Sequence, residues 1–132
     1  MAADFGTGPI LLAQPVPVGP ADTHGLHRAR LAQAALAVGQ HLLAGLRGEV
    51  PLVARPQDPA AGRYWPHATL ADVCIRWHEP AEAIARLVRA TNPWNRGALA
   101  TSRAQPLRVL GATPRPETTT AAPGTVVWLV AG

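Results

Sequence analysis

The 132-residue chain has no lysine, one cysteine and few aromatic side chains. With only Cys74, no internal disulfide can form, and a reducing compartment, the cytoplasm, is the expected location. Aromatics make up 5% of the residues, and much of the 48% apolar content is alanine, which buries little area per side chain, so any core is expected to be modest. Long apolar runs are also missing. The stretch "MAADFGTGPILLAQPVPVG" lacks a basic flank and is interrupted by Gln14, Pro15 and Pro17, so it does not read as a signal peptide. No run approaches membrane-spanning length, so no membrane association is expected. All twelve basic residues are arginine, set against eight acidic residues for a net charge of +4. They are dispersed from Arg28 to Arg115 without runs, which reads as compositional bias ahead of a dedicated nucleic-acid patch.

What is present is proline and glycine, fourteen and twelve residues, which implies irregular segments between the elements. Residues 8–18, "GPILLAQPVPV", read as a short buried strand running into an edge segment. Asp22 or Thr23 is placed to cap a helix, and from Leu26 to Leu46 apolar residues recur at three- and four-residue spacing, an amphipathic pattern that Gly48 ends. Residues 51–74 show no sustained period and carry four prolines, the pattern of an extended segment. A second helix follows, with His78 or Glu79 at its cap, Pro80 in its first turn and an apolar face of Ile84, Leu87 and Val88. Pro93 stops it and drives Asn92 out of the helical region. "PLRVLGA" and "GTVVWLVAG" are strand candidates, joined by a polar, Pro-rich loop containing Thr118, Thr119 and Thr120. His24 and His27 share a helical face but lack a third ligand, so no metal site is expected. Cys74 reads as a small core residue, and Trp77 and Trp94 as core anchors.

Four stretches in order carry a family resemblance: "FGTGPILLAQPVPVGPADTHGLHRARLA", "VARPQDPAAGRYWPHATLADVCIRW", "EPAEAIARLVRATNPWNRGA" and "QPLRVLGA" with "AAPGTVV". Together they resemble the 10-formyltetrahydrofolate-dependent formyltransferase family, most closely the branch that acts on methionyl-tRNA. The third stretch is the most specific, close to the family signature Arg-Ala-x-Asn-Pro-Trp-Pro-Gly-Ala, and marks Asn92, Pro93, Trp94 and Gly97 as a structural motif. The resemblance implies an α+β chain in three parts. Residues 1–50 would be the end of a Rossmann-like formyltransferase domain (a strand plus a helix), and 51–78 the interdomain linker. Residues 79–132 would be a further helix and a partial OB-like β-barrel.

The family's catalytic groups are an Asn, a His two positions later and an Asp in an Asp-Thr-Gly loop. The resemblance implies that the Asn and His would lie before this chain's first residues, and that Gly6 stands where the Asp belongs, leaving no side chain to move a proton. Asp4, two residues earlier, is too displaced to take over, since catalysis is sensitive to shifts of about 1 Å. Asp4, Phe5 and Gly6 are thus the remnant of a folate-binding loop, with no catalytic residue expected in the chain. Three functions follow as expectations. The first is a formyltransferase-like C-terminal half that is not catalytic alone and serves as an accessory piece or remnant. The second is a subunit that completes an active enzyme with an N-terminal formyltransferase chain, 10-formyltetrahydrofolate as donor, and methionyl-tRNA or an amino sugar nucleotide as acceptor. The third is a nucleic-acid-binding module using Arg96, Arg103 and Arg108. Open barrel edges imply a partner chain or a homo-oligomer.

Overall fold

The structure is a computed structural model and describes residues 6–94, 96–116 and 119–127. It is a small α+β arrangement of helices α1 (His24–Leu46) and α2 (Ala81–Thr91) and strands β1 (Ala98–Ser102) and β2 (Gln105–Val109). Short 3-10 turns at Pro59–Ala61 and Ala71–Val73 punctuate the segment between the helices. The chain forms two compact units, Met1–Gly19 with Leu26–His67, and Pro20–Gly25 with Ala68–Gly132.

In the first unit, the expected strand over residues 8–18 does not form. Only Ile10 pairs, exchanging backbone hydrogen bonds with Arg55 at 2.8 and 2.9 Å. Pro9, Pro15 and Pro17 alternate with Ile10, so they strip the segment's other edge of N–H donors and no second strand can pair there. Gln57 ties the preceding loop down instead, its Nε2 donating to the carbonyls of Gly6 at 2.8 Å and Gly8 at 2.5 Å. Helix α1 matches the apolar spacing, and it ends in a Schellman turn. The Glu49 N–H reaches the Ala44 carbonyl and the Gly48 N–H that of Gly45, both at 3.0 Å, with Gly48 at a φ of 78° that favours glycine. The stripe is only partly covered, however. Ala34, Val38 and Leu42 are half-buried, while Leu26, Leu31, Leu43 and Leu46 remain exposed.

The second unit holds the core. Val88 of α2 is 1% exposed and packs with Ile75 and Ala98, flanked by Ile84, Leu87, Ala100 and Val109. The three- and four-residue spacing of Ile84, Leu87, Val88 and Thr91 turns one helix face onto the sheet. Thr91, buried at the end of α2, donates its hydroxyl to the carbonyls of Leu87 and Val88, the latter one of the groups a helix terminus leaves without an intrahelical partner. At the other end, Pro80 is the cap itself rather than a first-turn residue. Its ψ of 143° is extended, and its carbonyl accepts the first N–H groups, from Ala83 and Ile84.

β1 and β2 pair antiparallel from Ala98↔Val109 to Ser102↔Gln105. "PLRVLGA" therefore supplies a strand as expected, whereas β1 carries no sequence signal of its own. The turn residues Arg103 and Ala104 both have positive φ, 47° and 62°, the geometry that matches strand twist but penalises any Cβ. Pro106 faces Thr101 at a position that makes no inter-strand N–H bond, so the proline is tolerated there. The second strand candidate is not seen in its described part, since residues 125–127 are irregular and the remainder lies outside the described residues. Exchanging Ala104 for glycine is expected to stabilise the hairpin by about 1 kcal/mol, read as a rise in thermal midpoint with unchanged circular dichroism.

Candidate functional site

The Asn92-Pro93-Trp94 turn is a knot of hydrogen bonds that joins three parts of the second unit. Asn92 leaves the helix with φ −103° and ψ 123°, as a residue before proline must. Its Nδ2 then donates to the Leu110 carbonyl beyond β2 at 2.9 Å, and its own carbonyl accepts the Gly25 N–H at 3.1 Å. Pro93 lies directly on Gly25. A Cβ there would sit 2.6 Å from Pro93 Cδ, so a bare backbone is required. Trp94 is not the core anchor its size suggests. It is 46% exposed, its Nε1 donates back to the Ala90 carbonyl at 2.7 Å, and its ring lies 6.0 Å from that of His24 at a 59° tilt. Trp77 is also half-exposed, at 42%. The turn closes through Arg96 N–H to the Pro93 carbonyl and Gly97 N–H to the Thr91 carbonyl.

The sequence motif Asn92, Pro93, Trp94 and Gly97 is thus one contiguous structure, and one of the arginines marked by sequence, Arg96, stands on it. Arg96 is exposed at a φ of 56° between Trp94 and Gly97, Arg103 is exposed at the hairpin tip, and Arg108 is exposed on β2 opposite Leu99. A signal that dispersal along the chain concealed is the pattern of acids. Between Glu82 and Glu117 there is no acidic residue, while Arg86, Arg89, Arg96, Arg103, Arg108 and Arg115 all fall in that span. A stretch of chain carrying one sign of charge attracts polyanions.

Of the three residues expected to form a folate-loop remnant, only Gly6 is described; Asp4 and Phe5 lie outside the described residues. Gly6 is exposed with φ 81°, and its carbonyl is engaged by Gln57. The described carboxylate in the neighbouring groove, Asp58, is committed to capping the turn at Ala60 N–H. Nothing described around Gly6 fits the proton handling that a formyl donor requires.

One further reading changes. Cys74 is exposed rather than core, its Sγ donating to the Leu70 carbonyl at 3.2 Å. His24 and His27 assemble no metal cluster among the described residues, where no group of three ligating side chains occurs. Asp72, close to Cys74, accepts from both Thr69 N–H and Thr69 Oγ1 at 2.7 Å. Those bonds, the backbone one first, hold its carboxyl below the ordinary value of 3.8, with a lesser pull from Arg76. A depressed carboxyl stabilises the fold above its unfolded value and ceases to do so as pH falls through the lowered one. The Thr69 amide resonance should therefore titrate below pH 3.8 in the native chain, and Asp72→Asn should abolish that step.

No helix among the described residues is long and apolar enough to cross a membrane. Residues 68–132 match the family described as formyl transferase, C-terminal domain. A methionyl-tRNA formyltransferase of Stenotrophomonas maltophilia is 36% identical over 127 residues, covering 96% of this chain and 41% of the relative. Its counterpart in Aromatoleum aromaticum is 38% identical over 117 residues, 86% of this chain and 35% of the relative. That of Xanthomonas campestris is 42% identical over 95 residues, 71% of this chain and 31% of the relative. The chain spans about two fifths or less of the length of these curated relatives.

Proposed function

Residues 68–132 belong to the formyl transferase C-terminal domain family, and from that membership we propose that the chain supplies the tRNA-facing portion of a methionyl-tRNA formyltransferase. The reading makes α1 the last helix of a Rossmann-like catalytic domain, residues 51–78 the linker, and α2 with the β1–β2 hairpin the opening of an OB-like barrel. It is supported by the exposed leucines of α1, an apolar surface suited to cover by more protein. The acceptor module would dock RNA phosphate through Arg96, Arg103 and Arg108, with Asn92, Pro93, Trp94 and Gly97 holding those arginines at fixed positions. The observation that carries this is the acid-free arginine series placed on one motif-bearing unit.

The chemistry of formyl transfer lies elsewhere in this reading. These 132 residues contain no Asn-x-His, and Gly6 offers no carboxylate, so 10-formyltetrahydrofolate and its proton-handling groups belong to a catalytic domain that works with this piece in the cytoplasm. Completion by an N-terminal formyltransferase chain is favoured over a homo-oligomer, since a second copy would bring the same Gly6.

The test combines two assays on the purified chain. Methionyl-tRNA should bind with an affinity that falls steeply between low and high salt, and formyl transfer from 10-formyltetrahydrofolate should be absent until a catalytic domain is added. Salt-independent binding would remove the docking role, and formyl transfer by the chain alone would overturn the division of labour.

A further inference from the structure

Beside the hairpin is a cleft of about 360 Å³ that the docking role does not use, lined by Ile75, Trp77, Thr101 and Pro106 among others and by no charged side chain. The volume falls within the ordinary range of small-ligand clefts. Its construction follows from strand geometry. A two-residue turn makes Ser102↔Gln105, Ala100↔Leu107 and Ala98↔Val109 the hydrogen-bonded pairs, so Leu99 and Thr101 direct their N–H and C=O away from β2. At Leu99 that edge is used, its carbonyl accepting the Ile75 N–H at 2.8 Å. The segment Cys74–Ile75 runs parallel to β1 there and then departs, leaving the Thr101 edge facing the cleft with Trp77 as a wall. Gly124 packs on the pyrrole side of the indole, where a Cβ would come within 3.0 Å of Cδ1, yet the ring remains 42% exposed.

An exposed indole, a strand edge whose Thr101 backbone bonds to no described residue, and an arginine two residues away at the hairpin tip together suit a stacked, hydrogen-bonding, phosphate-bearing group. We propose that the cleft takes an unpaired nucleobase of the bound RNA. The base would stack on Trp77, its edge would hydrogen-bond to the Thr101 backbone, and its phosphate would lie against Arg103. Aromatic stacking beside a positive groove is the general means of holding single-stranded bases, and it tolerates any sequence. The occupant is set by charge: the lining is uncharged, the flanking turn is cationic, and Asp72 and Glu79 line a different groove with Arg76 and Ile84. This inference rests on the RNA-docking reading above.

The full chain is tested against a short oligoadenylate and a phosphodiester oligomer of the same length without bases. Trp77→Leu should weaken oligoadenylate binding on the order of tenfold while leaving the base-free oligomer unaffected, and Trp77→Phe should retain most of the affinity. Because Trp77 also contacts Gly124 and its replacement could disturb the fold, a second measurement uses the unaltered chain. An iodouridine-containing oligonucleotide irradiated in complex should cross-link at Trp77. Cross-links confined to Trp65 or Trp94, or equal losses for both oligomers in folded Trp77→Leu, overturn the stacking site and leave arginine docking standing. Absence of binding by either oligomer overturns both.

Discussion

Replacing Gly97 with alanine is expected to destabilise the second unit by about 3 kcal/mol. Two independent penalties meet at that position. Its φ of 92° lies where an L-residue is strained. The added Cβ would also collide with the Val109 carbonyl oxygen and lie 2.9 Å from Leu110 Cδ2. The oxygen belongs to the backbone of β2 and cannot rotate aside, so relief requires the hairpin to shift. That shift would in turn disturb Ala98, which is fully buried beside Val88. The check is chemical denaturation followed by circular dichroism. A loss below about 1 kcal/mol would mean that the chain accommodates the methyl group by relaxing the strand, and that the contact is softer than drawn.

The second large effect concerns binding. Changing Arg96, Arg103 and Arg108 together to glutamine should reduce affinity for methionyl-tRNA on the order of a hundredfold at low salt. It should also flatten the dependence of log affinity on log salt by about 2 to 3. The necessary control carries the same change in charge on the other compact unit, at Arg28, Arg47 and Arg63. If docking is local, the control retains the slope. If both triple variants lose affinity equally, attraction comes from net charge alone, and the motif-bearing unit has no special part in it.

The legible parts of the fold were those where side-chain chemistry acts locally. Asn92-Pro93 ends α2 because proline has no N–H to donate and crowds the residue before it, and both facts are visible in two letters. Gly48 closes α1 for a similarly local reason. The strand β1, "ALATS", was not legible, because nothing in it alternates strongly. It is extended because β2 on one side and Ile75 on the other bond to its backbone. The opposite error arose at residues 8–18, where apolar character suggested a strand but only Ile10 pairs and the prolines leave the segment's other edge without donors. At the candidate site, sequence marked Asn92, Pro93, Trp94 and Gly97 but not their partners. Gly25 and His24 lie far earlier in the chain, and only the fold brings them onto the turn. The exposure of Trp77 and Trp94 escaped sequence reading for a related reason, since a large indole signals burial until the packing around it is known.

Pro106 has a role that extends to how the hairpin finds its partner. In a ladder, hydrogen-bonded and open positions alternate, so sliding β2 by one residue exchanges the two kinds of site. In the native alignment Pro106 opposes Thr101, where no N–H is called for. Slipped by a single residue, the imino ring would fall where a donor is needed, breaking a bond and crowding the neighbouring chain. The proline therefore acts as a register lock, penalising the nearest misalignment while leaving the correct one untouched. Such a lock matters in a hairpin whose turn, Arg103-Ala104, lacks the asparagine or glycine that would otherwise set the alignment from the loop outward.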